Sequence, residues 1–175
     1  MKKATFGAGC FWCIEACYKE LSGVYAVTAG YAGGHIENPS YEVVSEGNTG
    51  HAEIAHLEYD PTLISYQALL EVFFFVHNPT HINRQGDDIG SQYRSVIFYH
   101  DEEQKAIAIE TIKNLNQSKA WDADIVTELS PYTNHFQAES YHNGYLENNP
   151  ESQYCKSVIR PKYDKFKFAF LKMLK

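Results

Sequence analysis

Two β-patterned segments, residues 24–31 and 52–59, follow one another with no helical pattern between them. That succession excludes an all-parallel, doubly wound sheet, in which a crossover helix follows every strand. The other segments arrange themselves around this pair. Residues 2–9 read as a short buried strand closing on Gly7 and Gly9, and a helix is expected from Phe11 to about Leu21, stopping near Gly23. Ser65 caps a helix to about His77, with Leu69, Leu70, Val72, Phe73 and Val76 on its apolar face. Tyr93–His100 is the clearest strand, and Asp101 caps a helix over Glu102–Gln117. The order β-α-β-β-α-β predicts an α+β fold with a ferredoxin-like split βαβ core, a mixed or antiparallel sheet with helices packed on it. A strand over 124–129, a short helix over 137–147 and a long irregular C-terminal segment complete the expectation.

The 175 residues suit one catalytic domain, 1–175, of which 149–175 is read as a tail carrying a cysteine and a basic segment. Aromatic residues at 14% exclude disorder. No apolar run approaches the roughly 20 residues of a membrane span. Lys2 and Lys3 are not followed by the apolar stretch of a secretory signal, so a cytoplasmic protein with reduced thiols is expected, acting as a monomer. The net charge of −7 argues against nucleic acid as partner. That charge is uneven: residues 156–175 carry +6, leaving −13 on the rest. The basic end reads as a solvated helix or arm against an acidic body.

The strongest chemical signal is Gly9-Cys10-Phe11-Trp12-Cys13. Cys10 stands where a strand gives way to a helix, and the free N–H groups there favour a thiolate, which predicts a lowered pKa. Cys13 lies one turn on, facing it. The spacing alone leaves a redox pair, half a metal site or two core thiols open. A structural zinc needs four ligands in two pairs, and neither Cys17 nor Cys155 supplies the second pair, so no metal is expected. No histidine is singled out as a base, and His35, His56, His77, His81, His100 and His135 read as surface or strand-edge residues. Glu53 opens an apolar strand after Gly47-Asn48-Thr49-Gly50-His51-Ala52, and taken alone it reads as a solvated strand-end glutamate; the alternative is a partly buried carboxyl, whose raised pKa would make it a proton donor. The turn Gly86-Asp87-Asp88-Ile89-Gly90 leads into Gln92-Tyr93-Arg94-Ser95.

Taken together, these residues make the chain resemble the peptide methionine sulfoxide reductase A family. The likeness runs over essentially the whole length. It rests on Gly9-Cys10-Phe11-Trp12, Gly30-Tyr31-Ala32-Gly33-Gly34, Asn38-Pro39-Ser40-Tyr41, Thr49-Gly50-His51-Ala52-Glu53, Gln92-Tyr93-Arg94-Ser95, and Tyr141-His142 with Tyr145. The resemblance implies Cys10 as the nucleophile that attacks the sulfoxide sulfur and becomes a sulfenic acid. It implies Glu53 as the acid, and Tyr41 and Tyr93 as donors to the sulfoxide oxygen. It makes Phe11 and Trp12 the apolar wall for the substrate methyl group, with Asp88, His142 and Tyr145 as further substrate contacts. It also implies selectivity for the S epimer, no cofactor, and thioredoxin as electron donor in repair of oxidised proteins. Two positions depart from the common pattern: Cys13 stands where a glycine is usual, and Cys155 is alone in the tail. Either would resolve the sulfenic acid, and the resemblance ranks Cys155 ahead of Cys13. The rival from Cys10 and Cys13 alone is a thioredoxin-like thiol–disulfide oxidoreductase, which has no need of Glu53.

Overall fold

The computed structural model describes residues 1–175. Its strands are β1 (Lys2–Ala8), β2 (Val24–Ala32), β3 (Ala52–Tyr59), β4 (Arg84–Gln85), β5 (Asp88–Ile89), β6 (Ser95–Tyr99), β7 (Glu128–Pro131) and β8 (His135–Gln137). Its helices are α1 (Phe11–Tyr18), α2 (Tyr41–Ser45), α3 (Tyr66–Val76), α4 (Glu102–Ser118), α5 (Tyr145–Asn148) and α6 (Arg160–Ala169). Six strands form one sheet in the order β7-β6-β1-β3-β2-β8. β1 pairs antiparallel with both β3 and β6, β2 pairs antiparallel with β3, and β7 runs parallel to β6, so the sheet is mixed.

Alternation decides which side chains the sheet buries. Ala4, Phe6 and Ala8 of β1 join Ala55, Leu57 and Tyr59 of β3 on the face that carries the helices. Ile14 and Tyr18 of α1, Leu69, Leu70 and Phe73 of α3, and Phe166 of α6 close the same core. The helix starts follow the sequence: Ser65 Oγ accepts from the Ala68 N–H at 3.0 Å, and an Asp101 carboxylate oxygen accepts from the Gln104 N–H at 2.8 Å. The opposite face holds a smaller cluster of Ala32, Ala52, Ile54, Val96 and Phe98.

The C-terminal segment differs from the expectation. It is helical: a π-turn over Cys155–Ile159 leads directly into α6. Ile159 and Phe166 are fully buried, and Tyr163 and Phe170 pack against the core. These four residues recur at helical spacing, but the lysines between them hide the stripe. Burial of Phe166 contributes about 1.5–3 kcal/mol towards holding the helix down. The end is also tied by backbone, the Ser22 N–H donating to Met173 O at 2.8 Å and the Lys175 N–H to Glu20 O at 2.9 Å.

Two further boundaries move. The strand expected at 124–129 is β7, a few residues later. The stretch expected as a helix over 137–147 opens instead within β8, whose residues pair with Gly30, Tyr31 and Ala32 of β2. A three-residue strand has too little period to read, and its pairing partner lies about a hundred residues away. No helix is long and apolar enough to cross a membrane.

Candidate active site

β1 ends at Ala8, and Gly9 turns the chain with φ +88°. A side chain there would bring its Cβ to 2.8 Å from Gln85, so this turn requires glycine. The next residue, Cys10, is the N-cap of α1, and the Cys13 N–H donates to its carbonyl at 3.2 Å. The Cys10 side chain is 7% exposed.

Glu53 sits on the core face of β3 and is 1% exposed. The Phe11 N–H donates to its Oε1 at 3.1 Å, whereas Oε2 is buried without a partner. Burial, with smaller contributions from the charges of Asp88 and Cys13, pushes its pKa up to about 8, and the Phe11 bond only partly offsets this. The carboxyl is therefore protonated at neutral pH, and it lies close enough to Cys10 for its charge to raise that thiol.

The thiols differ from the expectation. Burial raises Cys10 well above the usual thiol range, and its hydrogen bond with Cys13 and the charges of Cys13 and Glu53 raise it further. Cys13 is lowered, mainly because Cys10 donates to it. Burial and the neighbouring thiol thus outweigh the helix N-terminus at Cys10, and Cys13 is the thiol of the pair that is eased towards ionisation. Cys155 is fully buried and packs in one apolar cluster with Cys10, Cys13, Ala16, Leu146 and Ile159. Cys17 belongs instead to the main core, where burial drives its thiol far up.

An aromatic box stands beside the thiols. Trp12 lies flat on Tyr145, with ring centres 3.7 Å apart and 4° between planes. Its Nε1–H donates to His142 Nδ1 at 3.0 Å, and His142 is fully buried with Nε2 unpartnered. Tyr41 stacks on Phe11 and Trp12 at 6.2 and 6.1 Å and approaches His142 at 4.5 Å. Tyr93 ends the 3-10 turn Ser91–Tyr93. Burial raises the hydroxyl pKa of both tyrosines, with the nearby charges of Glu53, Cys10 and Asp88 adding to it. All the site residues expected from the sequence, Cys10, Phe11, Trp12, Cys13, Tyr41, Glu53, Asp88, Tyr93, His142, Tyr145 and Cys155, are thus drawn from six separate stretches into one neighbourhood.

Other residues of this neighbourhood escape sequence reasoning. Glu139 accepts from the Tyr31 hydroxyl at 3.0 Å and from the Tyr41 N–H at 3.1 Å, which holds the start of α2 against the box. Tyr154 donates its hydroxyl to Asp88 Oδ2 at 2.6 Å and meets Trp12 edge-on at 5.7 Å. The only sequence signal for Tyr154 is its position next to Cys155, and Glu139 has none. Two histidines expected at the surface are buried. His56 Nδ1 pairs with Thr5 Oγ1 at 2.8 Å, and His77 bonds Phe73 O at 2.6 Å and Ser95 Oγ at 2.7 Å. Thr5 faces His56 across the sheet and Phe73 lies one turn before His77, so the polar ring by itself did not show that either is buried.

The family model for peptide methionine sulfoxide reductase matches residues 2–173. A peptide methionine sulfoxide reductase MsrA of Natronomonas pharaonis is 50% identical over 167 residues, covering 95% of this chain and 94% of its own. One from Acinetobacter baumannii strain AYE is 50% identical over 175 residues, covering 100% and 99%. Mxr1 of Saccharomyces cerevisiae in its reduced form superposes with a TM-score of 0.78 at 33% identity, covering 88% of each chain. A structure of Mxr1 in complex with Trx2 is similar at a TM-score of 0.53 and 24% identity, a likeness of fold, over 82% of this chain and 84% of that one.

Proposed function

The chain belongs to the peptide methionine sulfoxide reductase A family, and from that premise we propose how its residues divide the reaction. The activity is reduction of methionine sulfoxide to methionine. Cys10 as thiolate attacks the sulfoxide sulfur. The oxygen takes up a proton and passes from the substrate sulfur to Cys10 Sγ, the transient bond between the two sulfurs breaks, and methionine leaves as the thioether with Cys10 left as a sulfenic acid. Glu53 supplies the proton that the oxygen takes up, while the Tyr41 and Tyr93 hydroxyls hold that oxygen as charge develops on it. Phe11 and Trp12 receive the methyl group, with His142 and Tyr145 fixing Trp12, and Asp88 meets the substrate's main chain. Binding both methyl and oxygen leaves one free face at a chiral sulfur, so one epimer is chosen, and the family pattern makes it the S epimer.

The observation that carries this division is Glu53. A carboxyl buried on an apolar strand, with its pKa near 8 and one oxygen left without a partner, stands ready to donate at neutral pH.

Regeneration uses Cys13 and Cys155. One of their thiols attacks the sulfenic sulfur, water leaves, and a disulfide forms. A dithiol protein of the thioredoxin class then exchanges with that disulfide and leaves oxidised. The family pattern favours Cys155 as the first resolver. The hydrogen bond from Cys10 supports Cys13 as the thiol that needs no movement. The four strands β6-β1-β3-β2 support reading the core as a ferredoxin-like split βαβ; the reading as a whole takes residues 1–175 as one catalytic domain, with a cytoplasmic monomer as its working form. The test is an NADPH assay coupled through thioredoxin and its reductase with methionine sulfoxide of each epimer. Turnover of the S epimer alone is expected, and oxidation of NADPH by protein disulfides without it would remove the reading.

A further inference from the structure

A groove of about 610 Å³ opens at Cys10 and runs between α6 and the turn that carries β4 and β5. Lys162 and Lys165 of α6 form one wall, and Asp87 and Asp88 stand across from them. Between the walls the lining is partly apolar, with Phe75 47% exposed and Val158 37% exposed. Neither Lys162 nor Lys165 has an ion-pair partner, although Lys156 and Arg160 nearby pair with Glu151 and Asp164. On a chain of net charge −7, two lysines without an ion-pair partner thus line the groove that Cys10 also lines, together with the two acids. Asp88 is engaged by the Tyr154 hydroxyl, so the opposite wall is the less free of the two.

We propose that this groove reads the polypeptide around the oxidised methionine and favours an acidic residue on one flank, with Lys162 and Lys165 as the recognising charges. The inference rests on the reading that Cys10 reduces methionine sulfoxide. A methionine that reaches Cys10 brings its neighbours along at about 3.3 Å per residue in extended chain, which sets the next one or two side chains into the groove. Aliphatic neighbours cover Phe75 and Val158. An acidic neighbour meets two ammonium groups that have no other partner, while Asp87 repels a second acid placed across from it. On an otherwise acidic chain, the lysine wall gives an acidic flank a place to pair close to the thiol, and the acid wall opposite restricts it to that side.

The experiment compares kcat/KM for short peptides holding one methionine sulfoxide flanked by Asp on either side, by Lys, or by Ala, in the thioredoxin-coupled assay at low salt. One Asp-flanked peptide is expected to exceed the Lys-flanked peptide about five-fold, the scale of two solvent-exposed charge contacts. The preference shrinks in about 0.5 M salt. The double variant Lys162→Glu with Lys165→Glu reverses the order, and Lys162→Gln with Lys165→Gln levels it. Each preference is a ratio within one enzyme, so altered thiol chemistry or stability cancels. Equal kcat/KM for Asp and Lys peptides in the native protein would overturn the proposal. So would an unchanged ratio in the charge reversal, including the case where only the KM for thioredoxin rises, which assigns the groove to the reductant. Failure to reduce any of the peptides, the Ala-flanked one included, overturns instead the reading beneath it.

Discussion

The Phe11 N–H donates to Glu53 Oε1 at 3.1 Å, and this one bond joins the first turn of α1 to the core face of β3. It leaves Oε2 of the same carboxyl buried and free. The acid is thereby oriented by the residue that follows the nucleophile, and only one of its two oxygens is engaged.

Replacement Glu53→Gln keeps the bond from Phe11, since an amide oxygen accepts it, and removes the acidic proton. The rate of sulfoxide reduction should fall by about 10²–10⁴, the usual contribution of a general acid, with little change in KM. Single-turnover measurements of methionine release check this. A rate within two- or three-fold of the native protein would falsify the acid assignment.

The same substitution should stabilise the protein at alkaline pH. The folded-state pKa of Glu53, about 8, lies above its unfolded value of 4.5. The native state therefore holds the proton more tightly, and stability from this group is full below pH 4.5 and is lost as pH rises to about 8. Denaturation midpoints of the native protein and Glu53→Gln should diverge over that window, by a few kcal/mol at its top. Parallel curves would show that the carboxyl is not perturbed.

Trp12 packs flat on Tyr145 and is tethered to His142. Trp12→Ala should lower kcat/KM by about 1–3 kcal/mol in transition-state terms through loss of an apolar wall. Tyr145→Ala should cost part of that, because the indole loses its support but stays in place. If both variants keep native kinetics and only melt earlier, the box is packing alone.

The two resolving thiols are separable. Cys155→Ser and Cys13→Ser should each complete one turnover and release one methionine. The variant that stops at the sulfenic acid, detected by dimedone labelling and mass, identifies the first resolver. Cys155 is expected in that place. Full recycling of Cys155→Ser with thioredoxin would transfer the role to Cys13.

Acid should loosen the fold through its histidines. Burial is the first cause that depresses His56 and His100 to about 4 and His77 to about 3, from an ordinary 6.5. A depressed histidine is neutral in the folded chain, and the unfolded chain binds its protons first. The stability these groups contribute is present above pH 6.5 and is lost as pH falls towards 4. Urea midpoints at pH 7, 5.5 and 4.5 should fall in that order in the Glu53→Gln background, which removes the opposing carboxyl. His56→Gln should flatten the slope.

Much of the fold was legible because its signals are local. Ser65 and Asp101 cap helices by bonds that span three residues. The alternation in residues 52–59 put Ala55, Leu57 and Tyr59 on one face and Ile54 on the other, as observed. The C-terminal helix was misread because Lys162, Lys165 and Lys167 crowd the Ile159, Tyr163, Phe166 and Phe170 stripe, and composition outweighed period. β8 was missed because its three residues are held by β2 alone.

What the sequence by itself determined is the placing of the chemical groups: a cysteine at a strand-to-helix junction after a glycine, an acid at the head of a buried strand, and the motifs that align the chain with its family. Those depend on neighbours within a few residues. The state of those groups was decided only in three dimensions. Burial and the neighbouring Cys13 and Glu53 raised Cys10, where its helix position alone pointed to a lowered pKa. Glu139 braces Tyr41 from 98 residues away, and Tyr154 reaches Asp88 across 66. A pKa and a contact both depend on what surrounds an atom, and those surroundings are set by how distant segments pack against one another.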